Sequence, residues 1–276
     1  MTETQTTTPP RTHVVSSADG TRLAVDVYGD GTLPPLVLCS GAMATRGMEA
    51  SFAALVSDRF TVHAYDRRGR VDSGDTAPYA VEREVEDLAA VIAQAGEAAF
   101  VLAHSSGAVL ALRAAASGVP MARLAVYEPP FIVDDSHAPL PDDYVAHLEA
   151  LTAANQRVEA VAYFMTAAIG MPEAMVDGMR TAGHLDPMAG VAHTLSYDGR
   201  IMGDTMSGAP LAAEPWNRVT IPVLVMAGGA SGEYMRTGAR QLAERLPDAR
   251  LEILEGQDHG PADDVLGAAI AAFFLG

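Results

Sequence analysis

Phe100-Val101-Leu102-Ala103-His104-Ser105-Ser106-Gly107-Ala108-Val109-Leu110-Ala111-Leu112 reads as a strand, a sharp turn and a helix. Residues 100–102 are a short apolar run of the buried-strand kind, and residues 108–116 are an Ala-rich helical run without Pro or Gly. Ser105 stands at the corner. Ala103 and Gly107, two residues to either side, are small enough for strand and helix to approach closely, while the serine takes a strained conformation that turns its Oγ outward. This is the G-x-S-x-G nucleophile elbow with Ala in place of the first Gly. A serine that only caps a helix fits the same five residues, so the rest of the chain has to decide.

Working outward, 276 residues suit one large α/β domain with an insertion, or two small domains, and bury a substantial core. Hydrophobic residues make up 49% of the chain, yet no apolar run approaches the roughly 20 residues of a membrane span. A formal net charge of −17 repels nucleic acid and anionic membranes. Cys39 is the single cysteine, so one chain can build neither a disulfide framework nor a Cys-based metal site. Residues 1–11 are Thr-rich with Pro9 and Pro10 and lack an apolar signal core; they read as a loose tail, and a cytoplasmic location is the default expectation.

Strand-like and helix-like runs alternate along the chain. Residues 13–16 and 21–28, joined at Asp19-Gly20, read as an antiparallel hairpin. Strands are expected at 36–39, 60–65, 100–102 and 124–127, with helices at 49–56, 81–95 and 108–116 between them. The 81–95 helix sets acidic residues on one face and Val81, Val85, Leu88, Ala89 and Ile92 on the other. From residue 130 to 217 there are helical segments but no core strand; the alternation then resumes with strands at 223–226 and 251–254 and helices at 233–246 and 264–274. This pattern predicts a mostly parallel sheet flanked by helices, with a helical cap inserted over 130–217 and a core domain formed by 12–129 and 218–276.

Ligands of an open α/β sheet bind beyond the carboxyl ends of the strands. Four such ends carry suggestive residues. Ser40-Gly41-Ala42-Met43 is a small turn able to aim a backbone N–H into the site, and with the N–H of Ser106 it would form an oxyanion hole. Ser105 is the second. Glu128 follows an apolar strand and precedes Pro129-Pro130, and His259 lies in the Gly-flanked loop 255–260. Ser, carboxylate, His is the chain order of an α/β-hydrolase triad.

With these segments in hand, residues 12–276 resemble the α/β-hydrolase fold. The resemblance is carried by Ser40-Gly41, by Asp66-Arg67-Arg68-Gly69-Arg70 with Ser73 after it, by Ala103-His104-Ser105-Ser106-Gly107, and by Asp258-His259-Gly260. Three departures stand out. Ser40 occupies a position where His is common, and Val71 one where Gly is frequent. The acid usual after the strand ending at Met226 is missing, because Ala227-Gly228-Gly229-Ala230-Ser231 puts Ser231 in the Asp slot. An acid is still needed to hold the imidazole tautomer and stabilise the imidazolium. Glu128, one strand over from the elbow, is the natural substitute, with Glu233 as its rival and Asp258 expected to point away from the ring. Placing the acid at Glu128 with a vacant later slot is similar to the fungal zearalenone lactonases, which raises macrolactone hydrolysis above generic esterase action.

The expected chemistry is acyl transfer: His259 deprotonates Ser105, the Ala42 and Ser106 N–H groups hold the oxyanion, and water releases the acid. Asp at position 105 would instead have pointed to a dehalogenase or epoxide hydrolase. No metal or organic cofactor is implied, and the partner is a small-molecule ester or lactone. A non-hydrolytic member of the fold that binds or cyclises a small molecule is the alternative. Seven Met residues fall between Met165 and Met206. Of these, Met171, Met175 and Met179 recur at helical spacing and are expected to pack one face of a cap helix. Adaptable thioethers suit an apolar ligand, so Met43, His104, Met165, Tyr197 and Trp216 are candidate substrate contacts, with core packing the alternative for Tyr197 and Trp216. His184 and His193 read as surface residues of the insertion. Arg67, Arg68 and Arg70 suit an anion site or ion pairs with nearby acids. The apolar faces of the insertion permit a homodimer.

Overall fold

In the computed structural model, which describes residues 9–96 and 99–276, apolar strand runs assemble into one eight-stranded sheet. Of the expected tail, residues 1–8 lie outside the described residues, and Arg11 already opens the first strand. β1 (Arg11–Ser16) and β2 (Arg22–Tyr28) form the antiparallel hairpin, turning through Gly20 at φ 83°. β3 (Pro35–Cys39), α1 (Ala50–Val56), β4 (Thr61–Tyr65), α2 (Val81–Ala95), β5 (Phe100–His104), α3 (Ser106–Ala116) and β6 (Arg123–Tyr127) follow. After the insertion come β7 (Val223–Gly228), α8 (Glu233–Arg245), β8 (Ala249–Leu254) and α9 (Asp263–Leu275). The strand order is β1-β2-β4-β3-β5-β6-β7-β8, antiparallel at β1/β2 and β2/β4 and parallel elsewhere.

The two-residue strand period sorts the core onto both faces of this sheet. Val37, Val101, Val126 and Val225 pack with Val109 and Leu110 of α3 on one side. Leu36, Leu38, Leu102 and Leu224 pack with Phe52 of α1 and Phe274 of α9 on the other. Strands covered on both faces are apolar almost throughout, which is why β3 to β7 read as continuous hydrophobic runs. Each fully buried aliphatic side chain contributes roughly 1.5–3 kcal/mol. The acidic residues of α2 do not all face water: Glu84 and Asp87 are buried and meet Arg67 and Arg68.

Between β6 and β7 lie α4 (Tyr144–Ala153), α5 (Arg157–Ala167), α6 (Glu173–Thr181), a 3-10 stretch (Asp186–Thr194) and α7 (Leu195–Met202). They close a cluster of their own around Leu148, Val161, Met165, Leu185 and Leu195. Met171, Met175 and Met179 do not form one packed face. Met171 precedes α6 and Met175 is 56% exposed, so the regular spacing straddles a helix start.

Candidate active site

Ser105 sits between β5 and α3 at φ 56°, ψ −126°, a backbone conformation that costs a non-glycine residue energy and persists only where its surroundings enforce it. The enforcement is local. Its N–H donates to the Tyr127 carbonyl oxygen at 3.0 Å, and its carbonyl accepts from Ala108 N–H at 3.0 Å. A side chain at Gly107 would bring a Cβ within 2.2 Å of the Cys39 carbonyl oxygen, so only glycine lets α3 press this closely on the end of β3. The Gly41 turn is also tight, since a Cβ there would stand 2.8 Å from Ser105 Cβ. Ala42 and Met43 therefore follow directly beside the nucleophile candidate, with Met43 at φ 58°.

Glu128 extends β6 by one residue, and its N–H bonds the Met226 carbonyl at 2.9 Å. It too has a positive φ, 46°, which turns a fully buried carboxylate off the strand. Oε1 accepts the Gly228 N–H at 2.7 Å and Oε2 lies 2.7 Å from His259 Nδ1. Burial alone would raise this carboxyl, but the His259 ring and the Gly228 N–H outweigh it and hold it below the ordinary range. Ser231, in the vacant acid slot, stands beside Glu128 with its Oγ buried and without a hydrogen bond of ordinary length. Glu233 is exposed at the start of α8. Asp258 turns away from the ring, its Oδ1 accepting the Gly260 N–H at 2.9 Å while its carbonyl accepts from the Tyr127 hydroxyl.

Ser105, His259 and Glu128 line one cavity of about 1030 Å³ together with Ala42, Met43, His104, Ser106 and Met165. Glu128 engages Nδ1, which leaves Nε2 as the ring nitrogen available for chemistry. No hydrogen bond joins Ser105 Oγ to His259 among the described residues, a looseness common in unliganded sites. The His104 ring lies 4.6 Å from that of His259. Burial first, then its histidine neighbour, pulls His104 down to about 3, so it stays neutral. Met48, Met188, Met202, Met206 and Met235 complete a thioether-rich wall.

Two expected substrate contacts are misplaced. Trp216 is 2% exposed and packs on Phe131, with the Arg113 guanidinium 5.9 Å from its ring, inside the sheet core. Tyr197 stacks on Tyr79 at 3.8 Å and donates to Asp75 at 2.9 Å. Neither lines the cavity, because their neighbours come from distant segments that no local pattern reveals. The three arginines make ion pairs: Arg67 with Glu84 and Asp198, Arg68 with Asp87 and Asp19, and Arg70 with Asp198.

Sequence reasoning missed Asp198 and Glu49, both of which border the cavity. Glu49 accepts from Ser40 Oγ at 2.7 Å, and burial pushes its carboxyl up. The available signal for Asp198 was indirect: buried arginines need buried acids.

Residues 36–273 match the alpha/beta hydrolase family. The chain belongs to that family. No curated protein matches it. Among solved structures, an alpha/beta hydrolase from Sphaerobacter thermophilus is 49% identical at a TM-score of 0.87, covering 95% of this chain and 100% of that one. Two more distant structures share the fold of this alpha/beta hydrolase. The enol-lactonase of Burkholderia xenovorans is 20% identical at a TM-score of 0.69, covering 95% of this chain and 100% of its own. An esterase from Exiguobacterium antarcticum is 18% identical at 0.71, covering 95% and 99%.

Proposed function

We propose that this alpha/beta hydrolase cleaves an ester or lactone of an uncharged, largely apolar small molecule through a Ser105–His259–Glu128 triad. The observation that carries this reading is the 2.7 Å contact between Glu128 Oε2 and His259 Nδ1 in the cavity that the strained Ser105 enters. His259 Nε2 takes the Ser105 proton as Oγ adds to the carbonyl carbon, and the buried carboxylate stabilises the imidazolium. The Ala42 and Ser106 N–H groups receive the oxyanion. Collapse breaks the ester C–O bond and passes the proton from His259 to the departing alcohol. Water, deprotonated by His259, then attacks the acyl-enzyme, and the proton returns to Ser105 as the acid leaves. With a lactone, the alcohol stays tethered to the acid.

Charge and size support the substrate class. No arginine or lysine lines the cavity among the described residues, so nothing there would compensate a substrate carboxylate. Methionine walls adapt to irregular apolar shapes. A volume of about 1030 Å³ lies at the upper end of the small-ligand range of roughly 300–1,000 Å³, which suits a bulky or macrocyclic ester.

Intact-mass measurement after exposure to a fluorophosphonate tests the reading. A single adduct is expected on the wild type, absent from Ser105→Ala and formed slowly on Glu128→Ala. No adduct on the wild type, under conditions that label a control serine hydrolase, would instead favour binding or cyclisation without hydrolysis.

A further inference from the structure

The buried Asp198 carboxylate, carried by α7 of the insertion, touches the supports of both expected oxyanion donors. Its Oδ1 accepts from Ser106 Oγ at 2.7 Å and from Arg67 Nη1 at 2.7 Å, and its Oδ2 accepts from Arg70 Nη2 at 2.9 Å. The two guanidiniums then grip the opposite wall. Arg70 Nη1 donates to the Gly41 carbonyl at 2.5 Å and to the Ala44 carbonyl at 3.1 Å, and Arg67 Nη1 reaches the Ser40 carbonyl at 3.3 Å. Arg67 is held from its other side by Glu84 at 2.7 and 2.9 Å. Two arginines and two carboxylates, all nearly inaccessible to solvent, balance in charge.

Peptide geometry makes this arrangement consequential. The Gly41 carbonyl and the Ala42 N–H belong to one planar trans unit and point in opposite directions. A cation fixed on the Gly41 oxygen therefore fixes where the Ala42 N–H points and polarises it as a donor. On the other wall, the Ser106 side chain is tied down at the residue whose N–H is the second donor. One carboxylate thus joins both walls, and it belongs to the insertion, not to the sheet domain.

We propose that Asp198 is a positioning residue of the oxyanion hole, clamping the Gly41–Ala42 peptide through Arg70 and the Ser106 backbone through the Ser106 hydroxyl. This role rests on the serine-hydrolase reading above. It makes the insertion part of the catalytic apparatus, so that displacing α7 from the sheet loosens the donors.

Electrostatics and positioning give opposite signs, which sharpens the test. Removing a carboxylate near the oxyanion would by charge alone favour the developing negative oxygen and raise the rate. Losing the clamp lowers it. In Asp198→Asn, with the amide oxygen kept at Oδ1 for Ser106 and Arg67, the amide nitrogen faces Arg70 as donor against donor, so the ion pair is lost and that grip falls to the longer 3.2 Å contact of Arg70 Nη2 with the remaining oxygen. Ser106→Ala cuts only the second link and leaves the ion pairs whole.

The experiment measures kcat and KM on a p-nitrophenyl ester, and the Ki of an aryl trifluoromethyl ketone whose hemiketal oxygen would occupy the oxyanion hole. Active sites are counted by fluorophosphonate titration. For Asp198→Asn, kcat per titrated site is expected to fall about 10- to 100-fold with KM nearly unchanged, a loss smaller than deletion of a whole donor. The ketone Ki should rise in parallel. Ser106→Ala, which removes one charge-assisted hydrogen bond from a buried carboxylate and should fold with a somewhat lower melting temperature, is expected to lose about 3- to 10-fold in the same two quantities, because only part of that bond's energy goes into aiming the donor. Unchanged or improved kcat and Ki per titrated site in Ser106→Ala overturn the proposal even if Asp198→Asn does not fold. A wild type that is neither labelled nor active overturns the serine-hydrolase reading and this role with it.

Discussion

Ser105 N–H donates to the Tyr127 carbonyl oxygen at 3.0 Å, so the nucleophile corner is hydrogen-bonded to the residue immediately before Glu128. Parallel pairing of β5 with β6, in the register His104 to Tyr127, brings serine and acid to the same edge of the sheet. Both take positive φ where their strands end. Substituting the acid should therefore affect the chemical step more than the fold around the serine. Glu128→Gln is expected to lower kcat about 10³- to 10⁴-fold with KM little changed, the scale of losing a triad carboxylate. Glu233→Ala should leave steady-state kinetics unaltered. The reverse pattern would move the acid to Glu233.

Acid should weaken the fold through histidines held neutral. Burial, with His13 and Arg11 nearby, pulls His63 down to about 4, and its Nδ1 is buried without a partner. The unfolded chain binds this proton below about pH 6.5 while the folded chain does not, so stability rises with pH across that interval. The contribution is full above about 6.5 and drains as pH falls toward 4; His104 adds the same sign, down to about 3. Urea midpoints at pH 7.5, 6 and 5 should fall steadily for the wild type and less steeply for His63→Phe. Parallel slopes would contradict the assignment.

Val71 holds φ 43° and is 63% exposed, a left-handed conformation that a β-branched side chain adopts only under strain. Glycine is free of that strain but loses more entropy on folding. The balance favours Val71→Gly by about 1 kcal/mol, read as a higher melting temperature with unchanged KM. A lower melting temperature would mean that Val71 packs usefully despite its exposure.

Trp216 and the cavity methionines should separate cleanly. Trp216→Ala is expected to cost about 3–5 kcal/mol of stability, as a core aromatic does, with KM per active site close to wild type. Met202→Ala, on the cavity wall, should change KM for bulky esters more than for small ones. A large KM effect from Trp216→Phe would return that residue to the substrate.

Short-range physics was legible in the chain. The short continuous apolar run Leu36-Val37-Leu38-Cys39, the Ala-rich run after Ser105, and small residues at 103 and 107 all act within a few positions, and each led to the element observed. The order Ser105, Glu128, His259 combined with a parallel sheet was enough to nominate one edge, because parallel strands present their carboxyl ends together. Long-range partnership was not legible. Asp198 lies 128 residues from Arg70, and nothing in the local pattern of α7 distinguishes it from a solvent-facing acid. Trp216 was placed by Phe131 and Arg113, and Met175 was left exposed by a helix that begins only at Glu173. Periodicity says which residues share a face. What that face meets, and whether a buried charge finds its counter-charge, depends on segments brought together only by folding.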